Sequence, residues 1–393
     1  MMRPPVLSRL STLAVLGILV CLAGPACRPD PQAERGGDST GGKWKPGEEW
    51  RLVPEARIGS AEGSEANTFA MVAGYALDDL DRVWVVDAQQ QNVRVFDRRG
   101  AHLRTIGRKG GGPEEFRWIS GVARRPDGTL LVLDTGNSRF AVYDTTGTLV
   151  ATRRRNPGVS VTPWPGRVDS RGRLYDVGMT HPLGGGGADA LVRFDSAFQP
   201  VDTFRLPEFE EQFFEISRKQ GLNRQVDRVR VPFSASRFWR IDPEGHVWIA
   251  LTDRYRFERH TFGGTVDRVV EREVGPVRVT AAERSAALGS NEDFAGKGGR
   301  IDAFRIPDTK PALVSFFFDD QGRLWAEPEV AAGEKPGLDV FEPTGEYLGR
   351  VRLPVAVLSD PAPLVRGDRM VAVTTDGDGV QSLVVLRIER PSP

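Results

Sequence analysis

The strongest hydrophobic runs of the chain are short and recur in register. Val83-Trp84-Val85-Val86 and Leu130-Leu131-Val132-Leu133 are each four apolar residues long, rich in β-branched, leucine or aromatic side chains, and each begins two residues after a turn residue. Continuous apolarity of that length marks a strand covered on both faces. Aligning the turn residues gives Asp81, Gly128, Gly172, Gly245, Gly322 and Asp368, separated by 47, 44, 73, 77 and 46 residues. Three residues past each turn stand Trp84, Leu131, Tyr175, Trp248, Trp325 and Val371. A large aromatic in this place is expected to fill the gap between neighbouring sheets rather than to touch a ligand. Further on, an apolar residue, an acid and, three residues after the acid, a glycine return in Phe96-Asp97-Arg98-Arg99-Gly100, Tyr143-Asp144-Thr145-Thr146-Gly147 and Phe341-Glu342-Pro343-Thr344-Gly345. The acid can accept from turn amides and the glycine takes positive φ, which suits a hairpin. Each unit thus reads as four antiparallel strands. Six such units with a period near 45 residues predict an all-β fold, a six-bladed β-propeller.

The two ends of the repeat complete each other. Leu364 to Ile388 supplies only three strands, and the missing fourth is found in Trp50 to Ile58, which matches the outer strand His102 to Ile106 of the first full unit. An N-terminal strand completing the last blade would remove two exposed sheet edges. Residues 49–390 are therefore expected to form one domain.

Two long spacings place insertions after the outer strands of units three and four, at about 207–230 and 277–310. Phe209, Phe213 and Ile216 recur at helical spacing among Glu208, Glu211 and Glu215, which predicts an amphipathic helix in the first. Thr280-Ala281-Ala282-Glu283 is a capping box that should open a helix in the second. The fold is thus a propeller with two short helical insertions on one rim, read either as packed decoration or as a partial lid over the channel mouth.

The stretch Asp134-Thr135-Gly136-Asn137-Ser138-Arg139-Phe140-Ala141-Val142-Tyr143-Asp144, with Asp87 to Asn92 and Arg94 to Asp97, resembles the NHL-repeat group of six-bladed propellers. The glycine-rich linker Gly107 to Phe116 is similar to the form that group uses between blades. The resemblance implies the architecture and no particular reaction, because the group spans scaffolds, ligand binders and a few lyases.

Charge and composition narrow the partners. The 393 residues carry 53 basic and 53 acidic side chains, a balance that argues against a nucleic-acid partner, which would require a basic excess. Both cysteines, Cys21 and Cys27, lie in the first 27 residues, so the folded body holds neither a disulfide nor a cysteine-rich zinc site. Arg3 and Arg9 precede an apolar run from Leu10 to Ala23, one turn short of a membrane span, and residues 1–26 read as a signal peptide. Ala23-Gly24-Pro25-Ala26-Cys27 resembles a bacterial lipoprotein signal with Gly24 in place of the usual leucine. The resemblance implies lipidation of Cys27 and a periplasmic or outer-membrane location; ordinary cleavage after Ala26 would leave a bare thiol. Residues 27–48 are polar, rich in Pro and Gly, and expected to be a flexible tether.

In resembling propellers the loops that join outer to next inner strand, and second to third strand, open on one face around the central channel. By register this rim holds Trp118, Trp164 and Arg237 near the starts of inner strands, and His181, Asp253 and Arg254 in the following loops. Aromatics beside arginines suit an anionic or carbohydrate-like ligand. The glycine run Gly184 to Gly187 lacks the lysine and strand-to-helix junction of a phosphate loop. The four histidines are scattered along the repeat, so no histidine zinc site and no catalytic residue is assigned. Asp87, Asp134 and Asn137 could line a channel cation, or could bond loop backbone and pair with Arg94 and Arg139. Asp376-Gly377-Asp378-Gly379 reads as a hairpin turn rather than a calcium loop. The sequence favours a binding protein without a cofactor, acting on a small ligand or a partner protein. The alternative is a metal-dependent, lactonase-like hydrolase or lyase.

Overall fold

In the computed structural model the described residues are 34–35, 41–60, 64–155, 162–164, 166–178, 190–220, 223–289, 292–296 and 299–391. Residues 1–33, which include Cys27 and the expected signal peptide, and His181 lie outside them.

Six antiparallel four-stranded blades follow one another along the chain, the fourth extended by one short parallel strand. Blade one is Val72–Leu77, Val83–Asp87, Asn92–Phe96 and His102–Ile106, and blade two is Ile119–Arg124, Leu130–Asp134, Arg139–Tyr143 and Leu149–Arg154. Blade three has the shortest inner strand, Arg167–Val168, followed by Leu174–Gly178, Ala190–Phe194 and Pro200–Arg205. Blade four is Arg237–Ile241 to Val266–Glu271, and blade five is Leu313–Phe318 to Tyr347–Arg352. Blade six takes Leu364–Arg366, Arg369–Thr375 and Gln381–Glu389 from the end of the chain. Its outer strand is Arg51–Ile58, which pairs antiparallel with Gln381–Glu389 from Arg51 opposite Glu389 to Ile58 opposite Leu383. The ring is closed as the sequence predicts.

The core consists of one apolar cluster in each gap between blades. Trp84, Phe116 and Tyr143 fill the gap between blades one and two, and Phe317, Trp325 and Met370 that between five and six. Ile58 joins Phe96 and Val371 in the gap that closes the ring, so the N-terminal strand contributes packing as well as hydrogen bonds. Trp84 and Trp325 are fully buried, in agreement with their expected packing role. The turns before the second strands need positive φ, which glycine takes at Gly128, Gly172, Gly245 and Gly322 and Asp81 takes at 59°. In the last unit that position is Gly367, one residue before the aligned Asp368.

Three local expectations are revised. The first insertion is a β-hairpin, Phe213–Gln220 paired with Asn223–Arg230, rather than an amphipathic helix. Phe214 is buried against Val231, Phe294 and Ile306 with Ile216 packed beside it, so alternate residues, and not a helical stripe, form the apolar face. Both short helices, Ala281–Gly289 and Glu292–Gly296, belong to the second insertion. The capping box forms as expected: Glu283 N–H donates to Thr280 Oγ1 at 3.2 Å and Thr280 N–H to Glu283 Oε2 at 2.9 Å. The expected tether, finally, docks at its end. Lys43 and Trp44 donate backbone hydrogen bonds to Tyr347 and Leu348 on the outer strand of blade five, and the Trp44 ring lies 5.2 Å from Trp50. Upstream, Glu34–Arg35 runs parallel to the outer strand of blade four. Sequence polarity hid this because the anchors are mostly backbone and one indole.

Candidate functional site

The recurring aromatic does more than fill space. Trp84, Tyr175, Trp248 and Trp325 each donate a ring hydrogen bond to an aspartate six residues earlier: Asp78 at 2.9 Å, Asp169 at 2.9 Å, Asp242 at 2.9 Å and Asp319 at 3.2 Å. The same aspartates accept two amides of the following turn, as Asp169 does from Arg171 and Arg173 at 2.9 Å each. Buried carboxylates bonded in this way tie the end of the inner strand to the second strand.

That clasp fixes what faces the axis. Opposite the repeat residue, on the inner strand, stand Ala76, Ala123, Arg167, Arg240, Phe317 and Leu364, one from each blade. All six line a central cavity of about 520 Å³. Two adjacent positions of this ring are therefore arginines, and the others are alanine or larger apolar residues.

Most other charges of the cavity are neutralised within the protein. Arg124 and Arg366 share Asp79, each at 2.6 Å. Asp169 is held by Arg173 at 2.6 Å, whereas Asp320 accepts the Gly367 amide at 3.1 Å and forms no ion pair among the described residues. Arg167 and Arg240 differ. Among the described residues Arg167 donates only to the Phe318 carbonyl at 3.4 Å, and Arg240 only to the Trp239 carbonyl at 2.9 Å. Arg240 Nε is buried without a partner, and its guanidinium lies 5.5 Å from the Phe238 ring centre and 5.9 Å from that of Phe316. Burial lowers both guanidinium groups below the ordinary arginine value, against the pull of Asp242, Asp319 and Asp320 on Arg167 and of Asp360 on Arg240. Arg167 lowers Arg240 further, so each senses the other's charge. Both remain cationic at neutral pH. Asp360, which also lines the cavity, is raised by burial, with Arg240 opposing.

Over 95 residues the chain is 34% identical to the human (Homo sapiens) NHL-repeat-containing protein 4, which covers 24% of this chain and 72% of that protein. The chain belongs to the NHL-repeat family. A family profile described as DUF5128, a 6-bladed beta-propeller, matches residues 75–160 of this NHL-repeat chain, that is, blades one and two. Among solved structures it resembles a Bacteroides fragilis protein described as exported, at 12% identity over 91% of this chain and 99% of that one, with a TM-score of 0.47. It also resembles a gluconolactonase from Xanthomonas campestris, at 13% identity over 86% and 97%, TM-score 0.42.

The NHL-repeat signature residues are occupied with loop structure. Asp87 accepts the amides of Ala70 and Gln90 at 3.0 Å each and pairs with Arg94 at 3.4 Å. Asp134 accepts the amides of Arg117, Trp118 and Asn137 and the Asn137 side chain at 2.6 Å. Of the two earlier readings, the backbone clasp is the one observed. No group of three or more His, Cys, Asp or Glu able to hold a metal ion occurs among the described residues.

Of the rim residues read from sequence, Trp164 lines the cavity, with its indole N–H on Asp176 at 3.0 Å, where Arg155 also binds at 2.6 Å and 3.0 Å. Trp118 is 57% exposed and donates to Thr162 Oγ1 at 3.0 Å, outside the cavity. Arg237 donates to the Pro207 carbonyl and so ties down the first insertion. Asp253 and Arg254 are exposed on the loop after the second strand of blade four, away from the cavity. The two insertions pack on each other, with Arg305 donating to the Phe213 carbonyl at 3.0 Å, and none of their described residues lines the cavity. Arg167 and Arg240 were missed. The signal lay five residues before the aligned turn glycines, where units one and two have Ala76 and Ala123.

Proposed function

We propose that the protein is an exported, membrane-tethered binding propeller that takes a small ligand into its axial channel, while the insertion-bearing face receives the ligand or a partner protein. The observation that carries the reading is the cavity of about 520 Å³ enclosed by side chains from all six inner strands. Its volume falls within the range of small-molecule sites. Export and the tether rest on the N-terminal sequence, from Arg3 to Cys27. Mass spectrometry of the mature N-terminus tests the tether: a diacylglyceryl adduct on Cys27 is expected, and a bare thiol refutes it.

Thermal-shift screening with acidic, neutral and basic small molecules tests the channel. Ala123→Phe should block it, because the equivalent position of blade five already carries Phe317. At least one class of compound is expected to raise the Tm of the wild-type protein and to lose that effect in Ala123→Phe. A shift that persists in the filled channel overturns the reading.

A further inference from the structure

Cations enclosed in a protein normally have acids to face. The axial channel departs from this at one level, where Arg167 and Arg240 occupy neighbouring positions of the inner ring. A guanidinium has five N–H donors, and among the described residues Arg167 and Arg240 each make a single side-chain hydrogen bond, to a carbonyl. Among the described residues neither forms an ion pair with a carboxylate, and the partners they have are carbonyls. The aromatic rings beside Arg240 engage the face of its guanidinium and leave in-plane donors, among them the unpartnered Nε. Once the internally paired charges are set aside, two cations share the cavity with two acids, Asp320, which accepts the Gly367 amide, and Asp360, which burial pushes towards its neutral form. Across the ring, Ala76 and Ala123 leave room where larger residues would close the channel.

We propose that Arg167 and Arg240 form an oxyanion-binding pair and that the ligand of this protein presents a carboxylate or phosphate group to them. The inference rests on the channel reading above and adds the chemistry of the head group. Planar forks from two adjacent blades can bind such a group with parallel N–H···O bonds, which would bring an anion into direct contact with the pair and relieve the repulsion between the two guanidinium groups. The rest of the ligand would lie against the apolar side of the ring.

Isothermal titration at constant ionic strength, with succinate, inorganic phosphate and the uncharged succinamide as probes, tests it. Saturable binding of succinate or phosphate, and none of succinamide, is expected, the tighter of the two anions naming the head group. Arg167→Met and Arg240→Met should each weaken binding about tenfold or more, and the double variant should abolish it. Arg167→Lys and Arg240→Lys, which keep the charge and lose the fork, should fall between. No saturable response to either anion, or an unchanged affinity in the double Met or double Lys variant, overturns the proposal. A compound whose binding is blocked by Ala123→Phe but is indifferent to loss of both arginines would overturn this inference alone and leave the channel reading standing.

Discussion

Blades one and two and blades three and four are built to the same plan and use it differently. In the first pair the ring positions are Ala76 and Ala123, and the loops are closed by Asp87 with Arg94 and Asp134 with Arg139. In the second pair the ring positions are Arg167 and Arg240, and long insertions follow their outer strands. The family profile matches the first pair, at residues 75–160. The repeat motif therefore records what holds a blade together, and the proposed binding chemistry is placed where the repeat departs from itself.

Substitutions in the shared framework should show the largest effects and should be alike in both halves. Trp84→Ala and Trp248→Ala each remove a buried ring and its hydrogen bond to aspartate, and each is expected to cost about 3–5 kcal/mol in chemical denaturation. A much smaller cost in blade four would mean that the two halves do not share a framework. Next, Asp134→Ala strands the amides of Arg117, Trp118 and Asn137 and should cost about 2–4 kcal/mol while leaving ligand affinity unchanged.

A smaller effect of opposite sign is expected at Glu327 in blade five, a control for the idea that a charge lacking a partner marks a site. Burial and then the neighbouring Glu329 push its carboxyl up to about 7. The folded state thus holds a proton that the unfolded chain releases near 4.5. This group's contribution is fully favourable below that value, declines as pH rises to about 7, and then levels off. Glu327→Gln should flatten that decline and add on the order of 1–3 kcal/mol at pH 8, read by urea denaturation at pH 5 and 8. An unchanged pH dependence would show that the carboxyl is solvated or paired. Smallest of all, the Arg167→Met and Arg240→Met pair should alter stability by no more than about 0.5 kcal/mol in the absence of ligand, since no ion pair is lost. A large destabilisation would make the arginines framework, like Asp134, and erase the contrast.

The sequence disclosed the blade count, the closing strand and the buried aromatics because each follows from periodicity, and periodicity survives averaging over six units. Channel residues do not repeat, so alignment of the turns treated Arg167 and Arg240 as noise around Ala76 and Ala123. The rim residues Asp253 and Arg254 were chosen by loop register alone, which locates a face and not a direction, and both fall outside the cavity. The first insertion misled for a physical reason. Phe213 and Ile216 fit a helical period, but Phe214, Val229 and Val231 supply the alternation of a hairpin whose partner strand is several residues away. Among the described rim candidates, Trp164 alone was both singled out and found on the channel wall.

The most direct test is crystallographic. Crystals soaked in sodium selenate and measured at the selenium edge would locate bound oxyanions by anomalous scattering. A peak within hydrogen-bond reach of both Arg167 and Arg240, and absent from the double Met variant, is the result predicted. Selenate bound at surface arginines with the channel pair bare would contradict the account.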